Sequence, residues 1–268
     1  MDVTLADGRL LQVNDTGGGG LTVLWHQGSP HTGILYTPLV EAAQERGIRL
    51  VTYARPSYGE SSPYRGRDVT SAADDVRQIM DELGIEQFAT MGYSGGGPHA
   101  LACAALLPER VTSMVTLASV APFNDSYDWY AGMFDDSGLR AAAEGVEART
   151  RFAETEEFKP ESFTATDWAA LQSDWSSVGD DAVRATQAGP EGSIDDDVAF
   201  AKPWGFDLAQ VEAPVLVVQG GEDRVIPPSH GDWLTRHCSM SELWLRPRDG
   251  HVSVLRACPV AMDWLRAL

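Results

Sequence analysis

The sequence predicts an α/β protein: an eight-stranded, mostly parallel sheet with helices on both faces and one inserted helical segment. Three observations predict it. Short apolar runs alternate with segments of helical periodicity, first up to residue 121 and again after 205. Between 122 and 205 that rhythm stops and strand signals vanish. One strand-to-helix junction carries Gly92-Tyr93-Ser94-Gly95-Gly96, a G-x-S-x-G pattern in the context that gives it chemical meaning.

The elements follow in order. Val3 to Val13 alternates apolar and polar residues around Asp7-Gly8, so it reads as a hairpin. Leu21 to Trp25 is a short strand running into His26-Gln27-Gly28-Ser29-Pro30-His31. Leu35 to Arg46 has helical spacing, and Gly47 ends it. Ile48 to Tyr53 is the next strand, closed by Ala54-Arg55-Pro56-Ser57-Tyr58-Gly59. Val69, Ala72, Ala73, Val76, Ile79, Met80 and Leu83 mark a helix. Phe88 to Met91 is a strand, Ala100 to Leu107 a helix, and Val111 to Val120 a further strand. Inside the insertion, 139–158 and 167–175 read as helical. The α/β rhythm resumes with a strand over 213–220, a helix over 229–235, a strand over 241–245 and a last helix from Pro259. Alternation of this kind calls for a parallel sheet. The domain reading is one core, 1–121 with 206–268, and one inserted helical unit, 122–205.

The 268 residues are enough for one large core. A net charge of −19 argues against nucleic acid and anionic membrane surfaces as partners, because both need a basic footprint. No run approaches a membrane span, and Met1 to Asp7 lacks the basic and apolar regions of a signal peptide. The expectation is a cytoplasmic protein acting on a small molecule. Cys103, Cys238 and Cys258 are too few and too scattered for a disulfide framework or a metal site, so they read as reduced core thiols. No metal or organic cofactor is implied.

The chemistry centres on Ser94. A glycine on each side lets strand and helix close around a sharp turn. The hydroxyl then stands ahead of a helix N-terminus, whose partial positive charge favours an anion. The Gly95 N–H would point where an oxyanion forms. Alone, the pentapeptide also fits a Gly-rich loop that binds phosphate or nothing. Asp223 and His251 change that balance. Each follows a predicted buried strand, and carboxyl ends of parallel strands carry the chemistry. A serine needs a base, which His251 would supply; Asp223 would fix the imidazole tautomer.

With these pieces assembled, the whole chain resembles the α/β-hydrolase superfamily. The matching motifs are His26-Gln27-Gly28-Ser29-Pro30, Arg55-Pro56-Ser57-Tyr58-Gly59-Glu60-Ser61, Gly92-Tyr93-Ser94-Gly95-Gly96, Gly220-Gly221-Glu222-Asp223 and Asp249-Gly250-His251. The resemblance implies the order Ser94, Asp223, His251 for a catalytic triad. It implies that 122–205 is a lid, and that the second oxyanion donor is the Ser29 N–H. Gln27 stands where the family has histidine, and His26 is displaced by one. Asp125 is a second position for the acid in some relatives and ranks behind Asp223. His31 reads as a solvent-facing loop residue, His99 as structural, and Arg55 as a tie for its own turn.

Serine at the nucleophile position argues against the dehalogenase and epoxide-hydrolase branches, which carry aspartate there. The favoured reading is a serine carboxylesterase acting on a small neutral ester, lactone or thioester. The insertion holds 18 Asp and Glu against 6 Lys and Arg, a net of −12, which predicts a negative rim. A proline iminopeptidase-like aminopeptidase would use such acids to grip an amine, although Gly95 replaces the tryptophan usual after that nucleophile. A ligand receptor or non-hydrolytic tailoring protein on the same fold is the third reading. Trp129, Tyr130, Phe134, Trp168, Trp175 and Trp204 either line an apolar pocket or fill a small helical core; both readings stay open.

Overall fold

A computed structural model describes residues 1–124 and 126–268; the alternative acid Asp125 lies outside the described residues. Eight strands run β1 (Asp2–Thr4), β2 (Leu10–Asp15), β3 (Thr22–His26), β4 (Arg49–Tyr53), β5 (Phe88–Tyr93), β6 (Val111–Leu117), β7 (Val215–Gly220) and β8 (Ser241–Arg246). They form one sheet in the order β1-β2-β4-β3-β5-β6-β7-β8. The Asp7-Gly8 turn folds β2 back on β1, with Val3 opposite Leu11. β2 also pairs antiparallel with β4; every later pair is parallel. Helices supply the crossovers that parallel pairing needs. The first three are α1 (Thr37–Glu45), α2 (Ser71–Glu82) and α3 (Gly97–Leu106).

Strands β3, β5 and β7 are buried at every position, as the centre of a doubly covered sheet requires. Successive side chains leave opposite faces. Val23 and Trp25 pack with Leu39 of α1 and with Met262 of the last helix; Leu24 packs with Val76 and Ile79 of α2 and Leu101 of α3. Burial of these residues is worth about 25 cal/mol per Å² of apolar surface. Cys103, Cys238 and Cys258 are free and buried in these layers.

Among the described residues, five α-helices lie between β6 and β7: α4 (Ser137–Ala143), α5 (Val146–Ala153), α6 (Ala165–Leu171), α7 (Ser176–Ala188) and α8 (Glu191–Phe200). The stretch expected as one helical run over 139–158 is divided at Gly145, whose φ is +111°, a conformation closed to a continuing helix. α7 and α8 escaped the sequence reading. Their buried faces carry Asp181, Asp195 and Asp196, which break the apolar period. Four of the acids counted toward the expected negative rim, Asp167, Asp181, Asp195 and Asp196, are buried and face the core rather than solvent. Asp181 accepts from Thr32 Oγ1 and from the Tyr36 hydroxyl. After β7 come α9 (Pro228–His237), then β8, then α10 (Cys258–Ala267). Among the described residues no helix is long and apolar enough to cross a membrane.

Candidate active site

The site is built at the carboxyl ends of β3, β5, β7 and β8. β5 stops at Tyr93, and Ser94 adopts φ +51°, a left-handed conformation strained for a residue with a side chain. A single 3-10 turn over Ser94–Gly96 leads into α3. The two flanking glycines are required by contact. A Cβ at Gly92 would sit 2.6 Å from the Gly96 carbonyl oxygen, and one at Gly96 would sit 2.6 Å from that of Gln27. Gly28 also lies against Ser94, where a Cβ would come within 3.2 Å of the serine Cβ. The elbow and the β3 loop are thus in direct packing contact.

The three residues expected from order and strand ends meet. Ser94 Oγ lies 2.9 Å from His251 Nε2. His251 Nδ1 lies 2.9 Å from Asp223 Oδ2. A carboxylate only accepts, so Nδ1 carries the proton, and Nε2 is left to accept from the Ser94 hydroxyl. Asp223 Oδ1 meanwhile accepts from the Val225 and Ile226 N–H groups, each at 2.9 Å, which fixes the carboxylate plane at the end of β7. The Tyr93 ring lies 5.2 Å from the imidazole. All three side chains are largely shielded from water, a setting in which charge interactions are strong.

A residue of the insertion holds the histidine loop. Asp167, the third residue of α6, closes a capping box with Thr164. Its carboxylate also accepts from the backbone N–H of His251 (3.2 Å), Val252 (2.8 Å) and Ser253 (2.8 Å). Burial alone would raise its pKa; the hydrogen bonds from Ser253 and Thr164 outweigh burial and hold it below the ordinary value.

A second aspartate of the insertion holds the β3 loop. Asp196, on α8, is fully buried. Arg55 Nη2 donates to it at 2.6 Å, Arg67 Nη2 at 2.5 Å and the Tyr58 hydroxyl at 3.0 Å. The Ser29 hydroxyl donates to it as well. Burial opposes its charge, but Arg55 and Arg67 hold its pKa well below the carboxylate range. His99 Nε2 is 3.4 Å away; burial lowers that imidazole to about 4, so it is neutral at pH 7. Arg55 reaches further, donating to the Gln27 and Gly28 carbonyls at 2.6 and 3.2 Å. The Gln27 side-chain amide donates to the Ile34 carbonyl and braces the loop from its other end. His31 corrects an expectation. It is buried rather than solvent-facing, with its ring 4.3 Å from that of Tyr58. His26 ends β3 in the interior, where burial drives its pKa well down.

The aromatic residues expected at a pocket are dispersed. Trp129 is buried against Phe123, Tyr130 and His230, and its indole N–H donates to the Ala121 carbonyl at 2.7 Å. Trp204 donates to the Phe200 carbonyl, and Trp175 packs in the α1/α10 layer. Trp168 clusters with Phe158 and Phe163, Tyr130 lies under Arg140, and Phe134 is exposed. Besides Tyr93, an aromatic ring beside the elbow is Phe200, whose edge would lie 3.1 Å from a Cβ at Gly95. Its only sequence signal is a place at the end of an acidic run. Among the described residues no group of three or more His, Cys, Asp or Glu side chains could hold a metal ion.

Comparison with known proteins agrees with this architecture. The chain is 28% identical over 251 residues to the pimeloyl-[acyl-carrier protein] methyl ester esterase of Nitrosomonas europaea, covering 91% of this chain and 94% of that one. It is similar in structure to a bromoperoxidase from Bacillus anthracis, with a TM-score of 0.75 at 26% identity, covering 100% of this chain and 96% of that one. A thermophilic esterase from Thermogutta terrifontis superposes with a TM-score of 0.74 at 23% identity, covering 100% and 98%. The family model described as alpha/beta hydrolase fold matches residues 22–256, a span that holds the Ser94 elbow, both aspartate ties and the His251 loop, and the chain belongs to that family.

Proposed function

We propose that the protein is a serine hydrolase that cleaves a small neutral carboxylic ester, lactone or thioester through an acyl-enzyme on Ser94. One observation carries the reading: the unbroken chain from Ser94 Oγ through His251 to Asp223, with the serine on strained backbone. Ser94 Oγ attacks the carbonyl carbon while His251 Nε2 takes its proton. The N–H groups of Ser29 and Gly95 receive the developing oxyanion. Collapse expels the alcohol, which leaves with the proton from His251. Water then attacks the acyl group with His251 again as base, releasing the acid and restoring Ser94. Asp223 holds the imidazole tautomer and stabilises the imidazolium. Residues 122–205 form the lid over this site. The relative from Nitrosomonas europaea, a methyl ester esterase by name, supports an ester over an amide.

The amine-binding reading gains no support from the insertion's buried acids. Asp167 is saturated by N–H and hydroxyl donors, and Asp196 by two guanidinium groups. The test compares kcat/KM for a neutral p-nitrophenyl ester, its carboxylate analogue and a free-amine aminoacyl amide. The neutral ester should rank first. At low salt the carboxylate analogue should rank last, because net charge repels it and salt screens the repulsion. A win for the amine would replace the esterase reading with the peptidase one.

A further inference from the structure

We propose that Arg55 is a positioning residue of the oxyanion loop, and that Asp196 of the insertion holds it there. The proposal rests on the assignment of the Ser29 N–H as an oxyanion donor. The Gly28 carbonyl and the Ser29 N–H belong to one peptide unit. Arg55 Nη2 donates to that carbonyl at 3.2 Å and Nη1 to the preceding one at 2.6 Å. A charged donor on the oxygen of an amide draws electron density from its nitrogen. The N–H on the other side becomes a stronger donor, because linked hydrogen bonds polarise one another in a low-dielectric interior.

The geometry suits this role better than a simple tie between insertion and core. A tie needs only the Arg55–Asp196 pair. Here the guanidinium makes three kinds of contact at once: the two loop carbonyls, the Ser29 hydroxyl at 3.0 Å, and the Asp196 carboxylate at 2.6 Å. Asp196 accepts from Ser29 too, so it grips the same residue from its side chain while Arg55 grips it through the backbone. Arg55 and Arg67 both face the Asp196 carboxylate, and buried Asp195 lies within electrostatic reach of Arg67. The strengthened Ser29 N–H meets an oxyanion that exists only once the carbonyl has been attacked, so it acts more on the transition state than on a neutral ester.

The consequence is a defect in turnover rather than in substrate binding. Arg55→Gln should lower kcat about 10–100-fold, a part of the roughly 10²–10³-fold lost when a whole oxyanion donor is removed. KM for a neutral p-nitrophenyl ester should stay within about threefold. The Ki of phenylboronic acid, whose adduct on Ser94 places a negative oxygen in the same spot, should rise by the same factor as kcat/KM falls. Arg55→Lys keeps a buried charge but cannot reach both carbonyls and the carboxylate together; an intermediate loss of kcat is expected. If Arg55→Gln does not fold, as judged by its melting transition, Arg55→Lys decides. Unchanged kcat, or a raised KM with the boronate Ki unmoved, would overturn the proposal. Ser94→Ala is measured alongside. Full activity there would remove the underlying reading; a dead Ser94→Ala with an unimpaired Arg55→Gln would remove this inference alone.

Discussion

Replacing Asp167 by asparagine tests whether the insertion is part of the catalytic scaffold. The Asp167 Oδ1 atom accepts from the Val252 and Ser253 N–H groups and from the Ser253 hydroxyl; Oδ2 accepts from the His251 and Thr164 N–H groups and the Thr164 hydroxyl. Asparagine offers one acceptor oxygen and turns an NH2 toward the other set. The hydroxyls can rotate away, but two backbone N–H groups stay buried without a partner. At about 1–3 kcal/mol for each, the loss is roughly 2–6 kcal/mol. Urea unfolding of both proteins at pH 7 should show a gap of that size. Its pH dependence has a definite sign. The folded-state pKa of Asp167 is depressed, so its contribution is full above the unfolded value near 3.8 and is lost as pH falls through the folded value. The gap should therefore persist at pH 5 and close below 3.8. Turnover should fall as well, because the same bonds hold the His251 backbone. A gap below about 1 kcal/mol at pH 7, or one that widens on acidification, would refute the reasoning.

Two further outcomes follow from the site. On the proposed triad, Asp223→Asn and His251→Ala should each reduce kcat by roughly 10⁴–10⁶, and the double variant should be no worse than the poorer single one, as residues acting as a unit require; multiplicative losses in steady-state kinetics would dissolve that unit. Gly96→Ala should abolish activity and lower the melting temperature sharply, because its Cβ would meet the Gln27 carbonyl at 2.6 Å and backbone cannot yield; wild-type stability and turnover would show that the elbow tolerates a side chain.

The core of this fold was legible because its strands are short, continuous apolar runs, each closed by a polar or glycine-rich turn at the sheet's carboxyl edge. Buried strands need such runs, so Ser94 and Asp223 could be placed by what precedes them; the strand before His251 is only partly buried, and there Asp249-Gly250-His251 gave the signal. The aspartate ties were not legible. Asp167 bonds a loop more than eighty positions away, and Asp196 bonds Arg55 across 141. Nothing local separates them from the solvated acids around them, so the whole run read as a charged rim. The same buried carboxylates hid α7 and α8 by interrupting the apolar period on their inward faces. The aromatic residues gave burial but no direction. Tryptophan at 129, 175 or 204 signals a core, yet only the packing tells which core, and Phe200 rather than any of them lies beside Gly95.

The central claim, that Ser94 is the nucleophile, is tested most directly by covalent capture. The protein is incubated with an alkyl fluorophosphonate and its intact mass is read, followed by peptide mapping. One adduct per chain, located on Ser94, absent in Ser94→Ala and slowed in His251→Ala, is the predicted result. Labelling that persists in Ser94→Ala, or a wild-type protein that takes up none while it turns over ester, would contradict the account.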